Sequence, residues 1–169
     1  MKHTYNQKQT KRLRQKVNLN MSRRIIIDGD ACPVVDVIID ITHGTGISVL
    51  IIRSFSHFSH KSYPEHVEII YVDDGPDAVD YKVVQLTRRR DIVVTQDYGL
   101  AQLVLNRAAH VLHHNGMQYH HENIDMLLAQ RHHNAHIRRS GGKIKGPAPF
   151  TEQDKAAFKS VLVTLIENL

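Results

Sequence analysis

Three consecutive isoleucines run straight into a cluster of carboxylates in the stretch Arg24-Ile25-Ile26-Ile27-Asp28-Gly29-Asp30-Ala31-Cys32-Pro33. β-Branched side chains with no polar neighbour suit a strand buried on both faces, and such strands occur in parallel sheets covered by helices on either side. Asp-Gly-Asp ends the run. Pro33 then fits the first turn of a helix, where its missing N–H costs nothing. The design recurs downstream. Ile47–Ile52 and Val67–Val72 are further apolar runs, the second closed by the breaker cluster Asp73-Asp74-Gly75-Pro76. Asp91–Asp97 is another buried run leading to a carboxylate, and Ala109–Leu112 completes the series.

Helical periodicity fills the gaps. Val34, Val37, Ile38 and Ile41 share one face of a helix over Pro33–Thr42, with Gly44 and Gly46 as its stop. A second helix is expected from Asp77 to Arg89, with an acidic first turn and Arg88-Arg89-Arg90 in its last turn, suiting the helix dipole at both ends. A third is expected over Gly99–Arg107 and a fourth over Ile124–Ile137, the latter capped by Asn123. Thr151 caps a closing helix whose apolar stripe includes Phe158, Val161, Leu162, Leu165 and Ile166. Strands alternating with helices predict an α/β chain built on a doubly wound, mainly parallel sheet with right-handed crossovers. Ligands in such sheets bind beyond the carboxyl ends of the strands.

Composition narrows the setting. No apolar run approaches the roughly 20 residues that span a bilayer, and the N-terminus lacks the apolar core of a signal peptide. The single Cys32 excludes an intramolecular disulfide and a cysteine-based zinc site, so a reducing cytoplasm is the expected home. Residues 1–24 hold eight basic side chains and no acid, so the remaining 14 positive against 17 negative side chains leave residues 25–169 with a net charge of −3. Residues 1–22 are expected to be a disordered basic arm, either a plain tail or a grip on phosphate, ahead of a single domain over residues 23–169.

The carboxylates carry the chemistry. Asp28, Asp30 and Asp97 follow two buried runs, and Asp77 and Asp80 share one face of a helix's first turn. If the two strands are neighbours, these acids meet at the switch point of the sheet. Several carboxylates in one crevice raise one another's pKa unless a cation joins them, and hard oxygen donors select Mg²⁺ or Mn²⁺. Such an ion activates water and stabilises charge developing on a phosphodiester. Asp73, Asp74 and, taken alone, Asp77 suit capping or turn roles instead.

The motifs at 25–33, Asp77-Ala78-Val79-Asp80 and Val94-Thr95-Gln96-Asp97-Tyr98-Gly99-Leu100-Ala101 occur in this order, ahead of an Asn115-Gly116 turn and the Arg138–Pro147 segment. The chain from Arg24 onward resembles the YaiI/YqxD family of bacterial proteins, itself similar to PIN-like nuclease domains. The resemblance implies a PIN-like three-layer α/β/α sandwich and metal-dependent cleavage of RNA. It also implies catalytic roles for Asp28, for Asp80 (where PIN domains often have Glu) and for Asp97, with Asp30 and Asp77 as supporting metal ligands. The chain departs from the family at Asn115, where members often carry Arg.

Other features receive plainer readings. Arg138, Arg139, Lys143 and Lys145 in a glycine-rich segment are candidate phosphate contacts, or simply a solvated connection. The histidines, among them His113-His114, His120-His121, His132, His133 and His136, lack a His-Glu-x-x-His pattern and are expected at the surface. Aromatic residues make up only 6% of the chain, without Trp, and offer no evident platform for stacking bases. Cys32 is read as a structural thiol. Two other functions stay open: a phosphohydrolase on small phosphate esters using Asp28 and Asp30, and an RNA-binding module without turnover.

Overall fold

The computed structural model describes residues 23–146 and 148–168, so the expected arm at residues 1–22 lies outside the described residues. Five strands, β1 (Arg24–Asp28), β2 (Ser48–Ser54), β3 (Val67–Val72), β4 (Ile92–Val94) and β5 (His110–Leu112), form one sheet in the order β3-β2-β1-β4-β5. Every pairing is parallel. Chain order steps outward from β1 through β2 to β3, then returns to the other side of β1 for β4 and β5. The reversal leaves a crevice at the carboxyl ends of β1 and β4, where Ile27 pairs with Val94.

Helices cover both faces. α1 (Val35–Thr42) and α5 (Glu152–Asn168) pack on the face that includes Ile25, Ile27, Ile51 and Val94. α2 (Ala78–Leu86), α3 (Tyr98–Val104) and α4 (His121–Arg139) pack on the opposite face, against Ile26, Ile52, Val93 and Val111. Alternate residues of one strand thus feed two separate cores, which explains why Ile25–Ile27, Val49–Ile52 and Ile92–Val94 are uninterrupted apolar runs. The three-layer α/β/α architecture expected from the sequence is present. Among the described residues no helix is long and apolar enough to cross a membrane.

Several boundaries differ from the sequence expectation, each for a local reason. α1 starts at Val35, leaving Pro33 in the turn before it. α2 ends at Leu86, because Asp91 accepts the Arg88 N–H at 2.7 Å and pulls the chain round into β4; Arg88–Arg90 therefore lie beyond the helix. β4 is only three residues long, so Asp97 is the N-cap of α3 and does not end a strand. α4 begins at His121, with Asn123 inside its first turn as a partner in a capping box with His120. Thr151 takes the expected place ahead of α5, its hydroxyl accepting from the Asp154 N–H at 3.1 Å while Asp154 accepts from the Thr151 N–H at 2.9 Å.

One ion pair staples the end of the sheet away from the crevice. The Arg24 guanidinium donates to both oxygens of the buried Asp91, at 3.1 and 2.7 Å, and to the Leu86 carbonyl at 2.8 Å. Arg24, last of the basic residues counted with the arm, is thus committed to the fold.

Candidate active site

Gly29 sets the geometry of the Asp-Gly-Asp motif. A Cβ at this position would lie 2.6 Å from Ile51 Cγ2 and 2.9 Å from the Ile52 carbonyl oxygen, so only glycine lets the chain leave β1 across the end of β2. The Gly29 N–H donates to the Ile52 carbonyl at 2.8 Å, and Arg53 Nε donates to the Gly29 carbonyl at 3.1 Å. Asp28 and Asp30 consequently serve different neighbours. Asp30 accepts from the Ser54 N–H at 2.9 Å and the Ser54 hydroxyl at 2.8 Å, with His57 Nδ1 3.4 Å away, so both its oxygens help fix the end of β2.

Asp28 is half-buried and faces a cavity of about 420 Å³ whose lining also includes Asp30, Asp80, Gln96, Asp97 and Arg131. Residues from β1, from α2, from the β4–α3 connection and from α4 therefore meet at the switch point. Thr95 organises two of the acids. Its hydroxyl donates to Asp28 Oδ2 at 2.8 Å and accepts from the Asp97 N–H at 3.0 Å. Its own backbone is clamped, the N–H donating to the Leu112 carbonyl at 3.0 Å and the carbonyl accepting from the Tyr119 hydroxyl at 3.2 Å.

Asp97 is the most heavily engaged of the three. Its Oδ1 caps α3, accepting from the Gly99 and Leu100 N–H groups at 2.7 and 3.1 Å. Arg131 lies across both oxygens at 3.3 and 3.4 Å. Asp80 stands in the first turn of α2 and feels the other carboxylates strongly. Burial first, then the charges of Asp28, Asp97 and Asp77, push its carboxyl up to about 6, against the lowering effect of Arg131. Burial also raises Asp28, opposed by the Thr95 hydrogen bond and reinforced by Asp30 and Asp97.

The remaining candidates sit elsewhere. Asp77 is exposed, adopts a left-handed backbone (φ 60°) ahead of α2, and is not part of the cavity lining, although its charge bears on Asp80. Arg138 and Arg139 close α4, while Lys143 and Lys145 follow it; all four are exposed. Cys32 is partly buried against the core, and burial pushes its thiol up to about 11, which favours the neutral thiol. Among the described residues, no three His, Cys, Asp or Glu side chains are grouped so as to hold a metal ion.

A model of the family described as "Uncharacterized BCR, YaiI/YqxD family" matches residues 26–168, nearly all of the chain that builds the sheet and its helices. The chain belongs to the YaiI/YqxD family. Relatives bearing the name UPF0178 protein include one from Staphylococcus haemolyticus, 59% identical over 146 residues that make up 86% of this chain and 99% of the relative. Others come from Staphylococcus saprophyticus (61% over 145 residues, 86% and 94% of the two chains) and Staphylococcus aureus strain Newman (61% over 145 residues, 86% and 95%). No solved structure matches the chain with significance.

Two residues of this YaiI/YqxD site escaped the sequence reading. Arg131 follows Ile124, Leu127 and Leu128 at i+7, i+4 and i+3 respectively, so its place on the helix face that packs toward the sheet was the signal that this exposed side chain reaches the cavity rim. Thr95 lay in plain view between Val94 and Asp97, but nothing in its surroundings distinguishes a hydroxyl that orients two acids from one that ends a strand. The histidines divide. His120, His121, His132, His133 and His136 are exposed as expected, whereas His113 and His114 are partly buried within a run of rings.

Proposed function

We propose that this YaiI/YqxD chain is a divalent-metal-dependent hydrolase of phosphodiesters, with RNA as its substrate and Asp28, Asp80 and Asp97 as the working acids. The observation that carries this reading is the meeting of Asp28, Asp80 and Asp97, from three separate elements, in one cavity at the switch point of the sheet. Carboxylates from separate elements crowd a cavity at the switch point, and their mutual repulsion is relieved only in part by Arg131. Such a site gains from a cation, and an all-oxygen donor set suits Mg²⁺ or Mn²⁺. As they stand, the acids are not grouped as a ligand set among the described residues, and Arg131 covers both Asp97 oxygens. Asp28 and Asp80 would hold the ion, Asp97 would join them once Arg131 yields, and Asp30 and Asp77 would add supporting charge. When bound, the ion supplies a Lewis acid that lowers the pKa of water and balances charge developing on the phosphate.

The chain's own groups have separable tasks. Thr95 holds Asp28 and the Asp97 backbone in fixed relation, so that the two acids keep their spacing when charge in the cavity changes. Arg131 neutralises Asp97 in the resting protein and is placed to transfer its guanidinium to a phosphate oxygen once the acid finds another partner. Arg138, Arg139, Lys143 and Lys145 would steer the polyanion toward a cavity that would otherwise repel it. The small-ester phosphohydrolase reading needs Asp30 free as an acid. Its two oxygens are instead engaged by Ser54, which favours the diester reading.

The test is direct. Purified protein with Mn²⁺ is expected to cleave single-stranded RNA, and Asp28→Asn to lower the rate at least 100-fold, roughly the loss caused by removing a preorganised electrostatic group. Equal cleavage by the variant would show that the activity lies elsewhere.

A further inference from the structure

A second, larger cavity of about 610 Å³ adjoins the acids and shares Ala31, Gln96 and Tyr98 with the acidic one as a common wall. Its lining is different in kind. Tyr98, His113, His114 and Phe150 contribute rings, Gln96 and Asn115 contribute amides, and Asp154 is the only charged side chain. The rings are in contact with one another. His113 and His114 lie 4.1 Å apart between centroids, and Phe150 meets His114 edge-on at 5.3 Å. Tyr119 links this group to Tyr98, with centroid separations of 6.2 Å to His113 and 6.0 Å to Tyr98.

We infer that this ring-lined cavity is a nucleobase pocket, taking one base of the single-stranded RNA whose phosphodiester lies over Asp28, Asp80 and Asp97. The inference rests on the proposed function and adds to it the part of the substrate that lies beside the cut. Four observations carry it. The shared wall makes the two cavities neighbours, as a base and its own phosphate are. The π-faces of imidazole, phenol and phenyl rings suit stacking on a flat heterocycle. Burial favours the neutral form of both imidazoles, and the neighbouring His113 lowers His114 further, to about 4. A neutral platform with a fixed carboxylate receives an uncharged base and turns a phosphate away, which sorts the nucleotide's two halves between the two cavities. Asp154 is held in place by the Thr151 hydroxyl and N–H at 2.7 and 2.9 Å.

Hydrogen-bonding capacity at the rim matches the edge of a base. His113 Nδ1 accepts the Asn115 N–H at 3.2 Å, which leaves Nε2 as the donor nitrogen of the neutral ring. Asn115 Oδ1 accepts the Met117 N–H at 3.0 Å, leaving its amide NH₂ as a donor, and the exposed Gln96 offers both a donor and an acceptor. A pocket of this kind would supply the stacking platform that was not evident in the sequence. Only four of the chain's rings are needed, and they come from the α3 cap, the β5–α4 turn and the approach to α5, segments that no linear motif connects.

The pocket can be tested by binding alone, apart from cleavage. A fluorescein-labelled single-stranded RNA of about six nucleotides, within the usual site size for such ligands, is titrated with the full chain in Ca²⁺, which offsets the charge of the acid cavity in place of Mg²⁺ or Mn²⁺, and followed by anisotropy. The titration is repeated with an abasic nucleotide at each position in turn. One position is expected to stand out, its base removal weakening binding about tenfold. His114→Ala should show the same loss with intact RNA and no further loss with the abasic RNA, while His114→Phe, which keeps a ring, should retain binding and the base dependence. Phe150→Ala, checked for native circular dichroism, should behave like His114→Ala. Loss of affinity at no position, failure of the RNA to bind, or an undiminished base dependence in His114→Ala would each overturn the pocket. RNA cut with Mn²⁺ regardless of its bases would overturn the pocket and leave the hydrolase standing. RNA held through one base yet never cut would do the reverse.

Discussion

At the scale of single residues, the two aspartates of Asp-Gly-Asp part company because Gly29 passes within van der Waals distance of β2. Asp28 is left facing Asp80, and Asp80 carries the cost. Its folded pKa, about 6, exceeds the ordinary carboxylate value of about 3.9. The folded protein therefore holds this proton more tightly than the unfolded chain, and stability from this group falls as pH rises from about 4 through about 6. Asp28, raised as well, acts in the same direction. Asp80→Asn is expected to melt higher than the wild type at about pH 7.5, by about 1 kcal/mol after allowance for solvent screening, and to converge with it near pH 4. His114, whose depressed pKa removes stability as pH falls below about 6.5, is common to both proteins and cancels in the comparison. Thermal melts without divalent ions decide the matter. A variant less stable than the wild type at neutral pH would mean that the carboxylate is compensated by a partner.

Elements place these residues, and their ends were harder to read than their cores. Ile25–Ile27 and Ile92–Val94 were legible as central strands, because a run without polar residues has no other stable home in a chain of this length. The end of α2 was not legible. It depends on Asp91, nearly inaccessible at 1% exposure, which binds Arg24, Arg88 and, through Arg24, the Leu86 carbonyl. A contact spanning 67 residues leaves no mark on local periodicity. Removing the cation leaves a buried carboxylate without its partner, so Arg24→Ala is expected to lose about 3–5 kcal/mol in urea unfolding. A loss below about 1 kcal/mol would put the pair in the class of weak surface bridges. Gly116 has a similar long-range reason. It combines φ +91° with a hypothetical Cβ 2.9 Å from the Ala157 carbonyl carbon, which fixes the β5–α4 turn against α5.

Across the whole molecule, one strand order brings the acids together. Because β4 returns beside β1, carboxylates separated by about two-fifths of the chain share one crevice, and the helices of one face add Asp80 from α2 and Arg131 from α4. The sequence made Asp28, Asp80 and Asp97 legible through their motifs and through the family resemblance. It did not disclose that Arg131 and the α3 N–H groups already occupy Asp97, or that the acids line one cavity without being grouped as a ligand set among the described residues. Competition between an arginine and an ion for one carboxylate is therefore expected. Calorimetric titration of Mn²⁺ into the full chain measures it. Binding is expected in the wild type, weakened about tenfold or more in Asp28→Asn and Asp80→Asn and tightened in Arg131→Gln. Absence of binding at millimolar Mn²⁺ in both the wild type and Arg131→Gln, or equal affinity in the two acid variants and the wild type, would contradict a metal-loaded acid cavity.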